Sequence, residues 1–195
     1  VDRSVPPAQF DLEVTAGDTD ITDETLYFSD NVTVSQGYRT LKAQEVSIDR
    51  IEQTVVAQGP IEFREPGTVM YGDTMNYDSL GERALLANAE FAMYDQQLYG
   101  VADAIARDAN GSLEIEDGSL TFCSPIDPSW VVTAENLRVD STTRVGEAWG
   151  ARIDVKGVPI AYLPWIQFPQ DDQRKTGLLF PDVSSDTRGG VDITV

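Results

Sequence analysis

The chain is 195 residues long, with 33 Asp and Glu against 14 Lys and Arg, a formal charge of −19 and no histidine. Phosphate binding needs clustered Lys and Arg to release counterions, so this balance excludes a nucleic-acid partner, and it excludes docking on an anionic bilayer through a basic patch. The length is enough for one substantial domain with a real core. No apolar run approaches the roughly 18 residues of a membrane-spanning helix.

Residues 1–15 read as an N-terminal arm, with Pro6 and Pro7 favouring an extended lead-in. The opening VDRSVPPAQF has no apolar stretch of the kind a secretory leader carries, which suits a leader already removed as well as a cytoplasmic chain. From Glu13 onward apolar and polar residues alternate, as at Leu26/Phe28, Val32/Val34, Val46/Ile48 and Ile61/Phe63. A period of two predicts strands with one buried face.

A repeat underlies the alternation. Asp49, Asp78, Asp108 and Asp140 are spaced 29, 30 and 32 residues apart. Six residues before each stands a small residue (Ala43, Gly72, Ala102, Ala134), and three before each an aliphatic one (Val46, Met75, Ile105, Leu137). The residue just before each Asp is Ile48, Tyr77, Arg107 and Val139, so only the third unit departs from the pattern. After each turn an apolar pair follows another small residue: Ile61/Phe63 after Gly59, Phe91/Met93 after Ala89, Leu120/Phe122 after Gly118, Ile153/Val155 after Ala151.

Each Asp, helped by nearby Asn and Gly, offers the acceptor and the positive φ that a turn requires. Each small residue marks a close backbone approach or a sharp corner. Across it the parity of the apolar positions shifts: Leu41 and Ala43 are odd, Val46 and Ile48 even, so the strand bends or bulges there. Bends at the same place in stacked units fold a sheet over on itself, giving two facing layers around an apolar trough. The expected class is therefore all-β, built of antiparallel strands in repeats of about 30 residues. The inward set includes Phe63, Met70, Met75, Tyr77, Phe91 and Met93. Taken alone these residues favour a filled core, although Met-rich surfaces also adapt to varied apolar ligands.

Chemistry-bearing constellations are few. Cys123 is the sole cysteine; beside Leu120 and Phe122 it reads as a buried, inert thiol or as half of a bridge to a partner outside the chain. One cysteine without histidines cannot build a metal site of the zinc kind. Without histidine there is no Ser-His-Asp or Cys-His arrangement, and the carboxylate pairs Asp18/Asp20, Glu114/Glu116 and Asp171/Asp172 sit in solvated contexts. The Asp-bearing turns lack the dense spacing of a calcium loop, and no glycine-rich phosphate loop is present. No catalytic residue, metal or cofactor is expected, and the chain is not read as an enzyme.

Residues 157–175 carry Pro159, Pro164 and Pro169, with Pro181 beyond. Each proline lacks an N–H and fixes its own φ, so neither a helix nor a central strand can run through, and the segment is expected to be an extended linker. Its apolar Ile160, Tyr162, Leu163, Trp165, Ile166 and Phe168, the polar run QDDQRKT and the renewed Leu178, Leu179 and Phe180 suggest a junction between two structural units.

The pattern Gly157-Val-Pro-Ile-x-Tyr-x-Pro-Trp165, then Phe168-Pro169, then Arg174-Lys-Thr-Gly177-Leu-Leu-x-Pro181 resembles the lipopolysaccharide-assembly (LptD, organic solvent tolerance or OstA) family, which more usually has Ser where this chain has Thr176. The resemblance implies an OstA/LptA-like β-jelly roll over 16–156, a linker to the barrel over 157–175, and the first strands of an outer-membrane β-barrel over 176–195. It implies lipopolysaccharide transport: acyl chains received from the periplasmic bridge protein LptA, edge strand to edge strand, carried in the trough and passed to the chain's own C-terminal barrel, which houses the lipoprotein LptE. The location implied is the outer membrane, with this portion in the periplasm.

The trough residues expected on that basis are Val46, Ile48, Ile61, Phe63, Met75, Tyr77, Phe91, Met93, Ile105, Leu120, Phe122, Leu137 and Val139. Phe122-Cys123-Ser-Pro-x-Asp-Pro-Ser-Trp130 resembles the family segment whose cysteine pairs with one in the barrel, implying that role for Cys123. The family's second cysteine near the mature N-terminus has no counterpart here. Pro181 matches the proline of the family's lateral-gate strand, where a missing ladder bond weakens the seam. The competing expectation is a free-standing β-repeat adhesion or scaffold module that binds protein or glycan on its acidic face. Leu178, Leu179 and Phe180, with no obvious core of their own, argue against it.

Overall fold

The computed structural model describes residues 5, 9–140, 142–143, 145–169, 182–185 and 191–194. Twelve strands make one antiparallel sheet: β1 (Leu12–Thr15), β2 (Asp18–Ile21), β3 (Thr25–Gln36), β4 (Arg39–Asp49), β5 (Thr54–Glu65), β6 (Thr68–Asp78), β7 (Arg83–Met93), β8 (Leu98–Arg107), β9 (Leu113–Thr121), β10 (Trp130–Asp140), β11 (Val145–Val155) and β12 (Val158–Pro169). From β3 to β12 each strand pairs with its sequence neighbours, a plain meander. At one edge β2 covers the first half of β3 and β1 the second. β12 is the other edge. Two further strands, β13 (Asp182–Ser185) and β14 (Val191–Thr194), pair with each other in a separate sheet.

The turns are built as the repeat predicts. Asp49 Oδ1 accepts the Ile51 and Glu52 N–H groups, both at 2.8 Å. Asp78 Oδ1 accepts those of Leu80 and Gly81 at 3.0 Å, Asp108 Oδ1 that of Ser112 at 2.8 Å, and Asp140 Oδ1 those of Thr142 and Thr143 at 2.8 and 2.9 Å. Each carboxylate satisfies donors that a tight turn leaves unpaired. At Asp140 the Thr143 and then the Thr142 N–H hold the carboxyl below its ordinary range, because they bond its charged form.

Midway along the strands the ladder breaks. Register shifts lie between Ser29 and Val32, Lys42 and Glu45, and Gln58 and Ile61. Asp30, Asn31, Gly59, Asn88, Asp117 and Gly150 adopt positive φ, which Gly, Asn and Asp tolerate best. Small or fully buried residues follow this crease from strand to strand, Val32–Ala43, Ile61–Gly72, Ala89–Ala102 and Gly118–Ala134, and Ala151 continues it opposite the half-buried Leu163. Ala43, Ala89, Ala102, Ala134 and Ala151 are all buried. Larger side chains there would hold the two layers apart.

The structure moves two expected boundaries. The sheet begins inside the expected arm 1–15, because Leu12–Thr15 pairs with β3 and Val14 packs on the core. It also extends into the expected linker 157–175, since β12 pairs with β11 from Val158 to Pro169. An edge strand needs donors only on its paired side, so a proline is tolerated where its nitrogen faces the open side.

Candidate functional site

Directly opposite residues of an antiparallel ladder share a face, so the register defines the interior. On one side of the crease an apolar row crosses the sheet: Val14, Val34, Leu41, Phe63, Met70, Phe91, Gly100, Leu120, Val132, Ile153, Ala161. On the other side a second runs Phe28, Val46, Ala57, Met75, Leu86, Ile105, Ile115, Leu137, Ala148, Ile166. Neither row holds a charged or polar side chain. Residues from both rows form one cluster with the crease alanines. The neighbouring rungs are polar and outward, as in Lys42, Glu62, Tyr71, Glu90.

Most of the sequence-nominated trough residues meet in this interior. Val46, Ile61, Phe91, Ile105 and Leu137 are buried, while Ile48, Met75, Met93, Leu120 and Val139 are partly buried against them. Phe63 is half-buried in the first row, opposite Leu41 and Met70. Two lie at the rims and are exposed. Tyr77 is two residues beyond Met75 at the strand end, and Phe122 lies just past β9, with its ring 5.7 Å from that of Trp130.

Val32, Ala57, Leu86, Ala89 and Ile115 belong to the same cluster but were not nominated. Register, not a sequence signal, places them inside: Leu86 and Ile115 face Met75 and Leu137 across the ladder. The interior is tightly packed around Phe91. An added Cβ on Gly100 would collide with the Phe91 ring and the Ser119 carbonyl. The void bounded by Phe91, Ile115, Leu120, Val132 and Leu137 measures about 10 Å³.

The outer surface carries the charge. Arg64 Nε lies 2.7 Å and Lys42 Nζ 3.2 Å from Glu62 Oε1, and the Arg64 hydrogen bond, with that of Lys42 behind it, holds the Glu62 carboxyl below the usual range. Cys123 is half-buried in the loop after β9. Its N–H donates to Thr121 Oγ1 at 3.1 Å, while that hydroxyl, buried, donates to the Trp130 carbonyl at 2.7 Å. Leu179 and Pro181 lie outside the described residues. Among the described residues no group of three or more His, Cys, Asp or Glu is placed to hold a metal ion.

A continuous meander creased along a line of small residues, with one apolar row in each layer, one running from β1 to β12 and the other from β3 to β12, is a β-jelly roll built from repeats. The family described as "LptA/(LptD N-terminal domain) LPS transport protein" matches residues 13–145. This chain belongs to that family. It is 33% identical over 190 residues to the LPS-assembly protein LptD of Saccharophagus degradans, covering 97% of this chain and 22% of that one. It is 32% identical over 168 residues to the LPS-assembly protein LptD of Shewanella denitrificans, covering 86% of this chain and 22% of the relative. The chain thus spans about a fifth of the length of these curated relatives. Among solved structures, LptH, the LptA homologous periplasmic component from Pseudomonas aeruginosa, matches with a TM-score of 0.45 at 20% identity, over 51% of this chain and 77% of that one.

Proposed function

We propose that this chain acts in lipopolysaccharide transport to the outer membrane, holding the acyl chains between its two layers while the sugar portion stays in water. The observation that carries the reading is the pair of unbroken apolar rows, which together run from β1 to β12 without a polar interruption. Burying lipid there is worth about 25 cal/mol per Å² of apolar surface, enough to keep acyl chains out of water. Around Phe91 a void of about 10 Å³ admits no acyl chain, so at that point loading requires the layers to part, and the adaptable Met70, Met75 and Met93 suit such an interior.

The upstream partner on this reading is LptA, which adds a strand at the β1/β2 edge. That edge carries no proline, whereas β12 carries Pro159, Pro164 and Pro169, and a proline whose nitrogen faces outward offers no donor to an added strand. Downstream, the lipid passes to the chain's own barrel with its lipoprotein LptE, Cys123 forms a disulfide to that barrel, and Pro181 weakens the seam through which lipid leaves.

Photocrosslinking in cells tests the reading. A photoreactive residue at Phe91 or Met93 should yield lipopolysaccharide adducts, and one at the exposed Glu90 should not. No adduct at any of the three, in a protein that still supports growth, would make the interior an ordinary core.

A further inference from the structure

β12 is the one strand of the twelve-stranded sheet of this acidic protein that bears no charge. Its twelve residues include no charged side chain, in a chain with a formal charge of −19. On the outer face Trp165 of β12 stands directly opposite Trp149 of β11, and Tyr162 lies opposite Arg152. Trp149, Tyr162 and Trp165 are 37, 63 and 51% exposed. Ile160 extends the exposed apolar run along the strand. Of the nearby charges, Arg152 is held by Asp154, Nη2 to Oδ2, at 2.9 Å, and Glu147, on the outer rung opposite Gln167, stands across from Arg138. The patch is thus close to electroneutral, while elsewhere the outer rungs carry acids such as Glu90 and Glu116.

We infer that this face seats the chain on the headgroup layer of a zwitterionic bilayer. Tryptophan and tyrosine partition to that layer because their rings are apolar and their N–H and O–H groups remain wet. A neutral aromatic face meets no field from zwitterionic lipid, while the acidic remainder of the surface is repelled by anionic lipid. The two other occupants fit less well. A strand-adding protein is disfavoured by the three prolines of β12, and a cationic partner would meet only Glu147 and Asp154, each already faced by an arginine. The inference does not depend on lipid entering the interior.

The test is co-flotation of the chain with vesicles of pure phosphatidylcholine and with vesicles containing added phosphatidylglycerol. Binding to the first, insensitive to salt and weaker on the second, is expected. Tyr162→Ser and Trp165→Ser should each lower partitioning by on the order of tenfold, in line with the ring area removed, and leave thermal unfolding unchanged. Val101→Ser, which removes an exposed apolar residue on the same outer face away from the patch, should lower nothing. Bromine-labelled lipid should quench emission from Trp149 and Trp165, read in the Trp130→Phe variant. Failure to float on phosphatidylcholine, equal flotation of the Ser variants, or stronger binding to the anionic vesicles would overturn the inference. Concentration-dependent self-association lost in the same variants would assign the face to a second copy instead.

Discussion

Gly72→Ala puts the crease under a defined load. An alanine Cβ there would stand 2.6 Å from Leu86 Cδ1 and 2.8 Å from the Ala87 carbonyl oxygen, about 1 Å inside ordinary contact. The leucine can swing away, but the carbonyl belongs to the paired strand β7 and cannot. Overpacking of this kind costs roughly 1–3 kcal/mol, opposed by about 0.4–1 kcal/mol gained because alanine has fewer unfolded conformations to lose. Sterics win, for a net loss of about 1–2 kcal/mol, or a fall in Tm of about 2–8 °C for a chain of this size. Urea unfolding of Gly72→Ala, Leu86→Ala and the double variant measures it. Leu86→Ala alone should cost about 2–5 kcal/mol, and the double variant less than the sum, since removing the leucine relieves only the side-chain half of the clash. A Gly72→Ala variant as stable as the parent, or strict additivity, would refute the close approach of β6 and β7 at the crease.

Ile61→Ala, at a fully buried crease position, should cost about 2–5 kcal/mol in the same assay. Asp49→Ala removes the acceptor of two turn N–H bonds and should cost about 1 kcal/mol, with hydrogen exchange quickening at Ile51 and Glu52 and Asp49→Asn retaining most of the protection. The Asp140 carboxyl is held low in the folded state by the Thr143 and Thr142 N–H donors, so its stabilisation is present above the ordinary carboxylate value and lost as pH falls through the lowered one. The difference in Tm between the parent and Asp140→Asn should therefore be open at neutral pH and closed in acid. Thr121→Val deletes both the buried bond to the Trp130 carbonyl and the acceptor for the Cys123 N–H; it should cost about 1–3 kcal/mol and quicken modification of the Cys123 thiol.

The repeat was legible because its parts are local. An Asp that closes a turn and a small residue at a crease leave their mark at fixed spacing, and Asp49, Asp78, Asp108 and Asp140 all close turns through their carboxylates. Parity around the crease was legible only where polar and apolar residues contrast. Leu85 and Leu86 are adjacent and chemically identical, yet one is exposed outside and the other buried inside; cross-strand register, a non-local property, decides between them. The prolines of β12 point to a linker because their local effect forbids a central strand, and nothing local tells that a strand has only one paired side. Tyr77 and Phe122 follow the interior pattern in sequence, but each stands at a strand end where no second layer covers it.

That same pair of leucines gives the sharpest test of the lipid-binding claim. With methyl groups labelled and lipopolysaccharide bound, nuclear Overhauser contacts from acyl methylenes should reach Leu86, Ile105 and Leu137 and be absent at Leu85 and Val101. Contacts confined to Leu85 and Val101, or none at the inner three under saturating ligand, would contradict an interior that carries lipid.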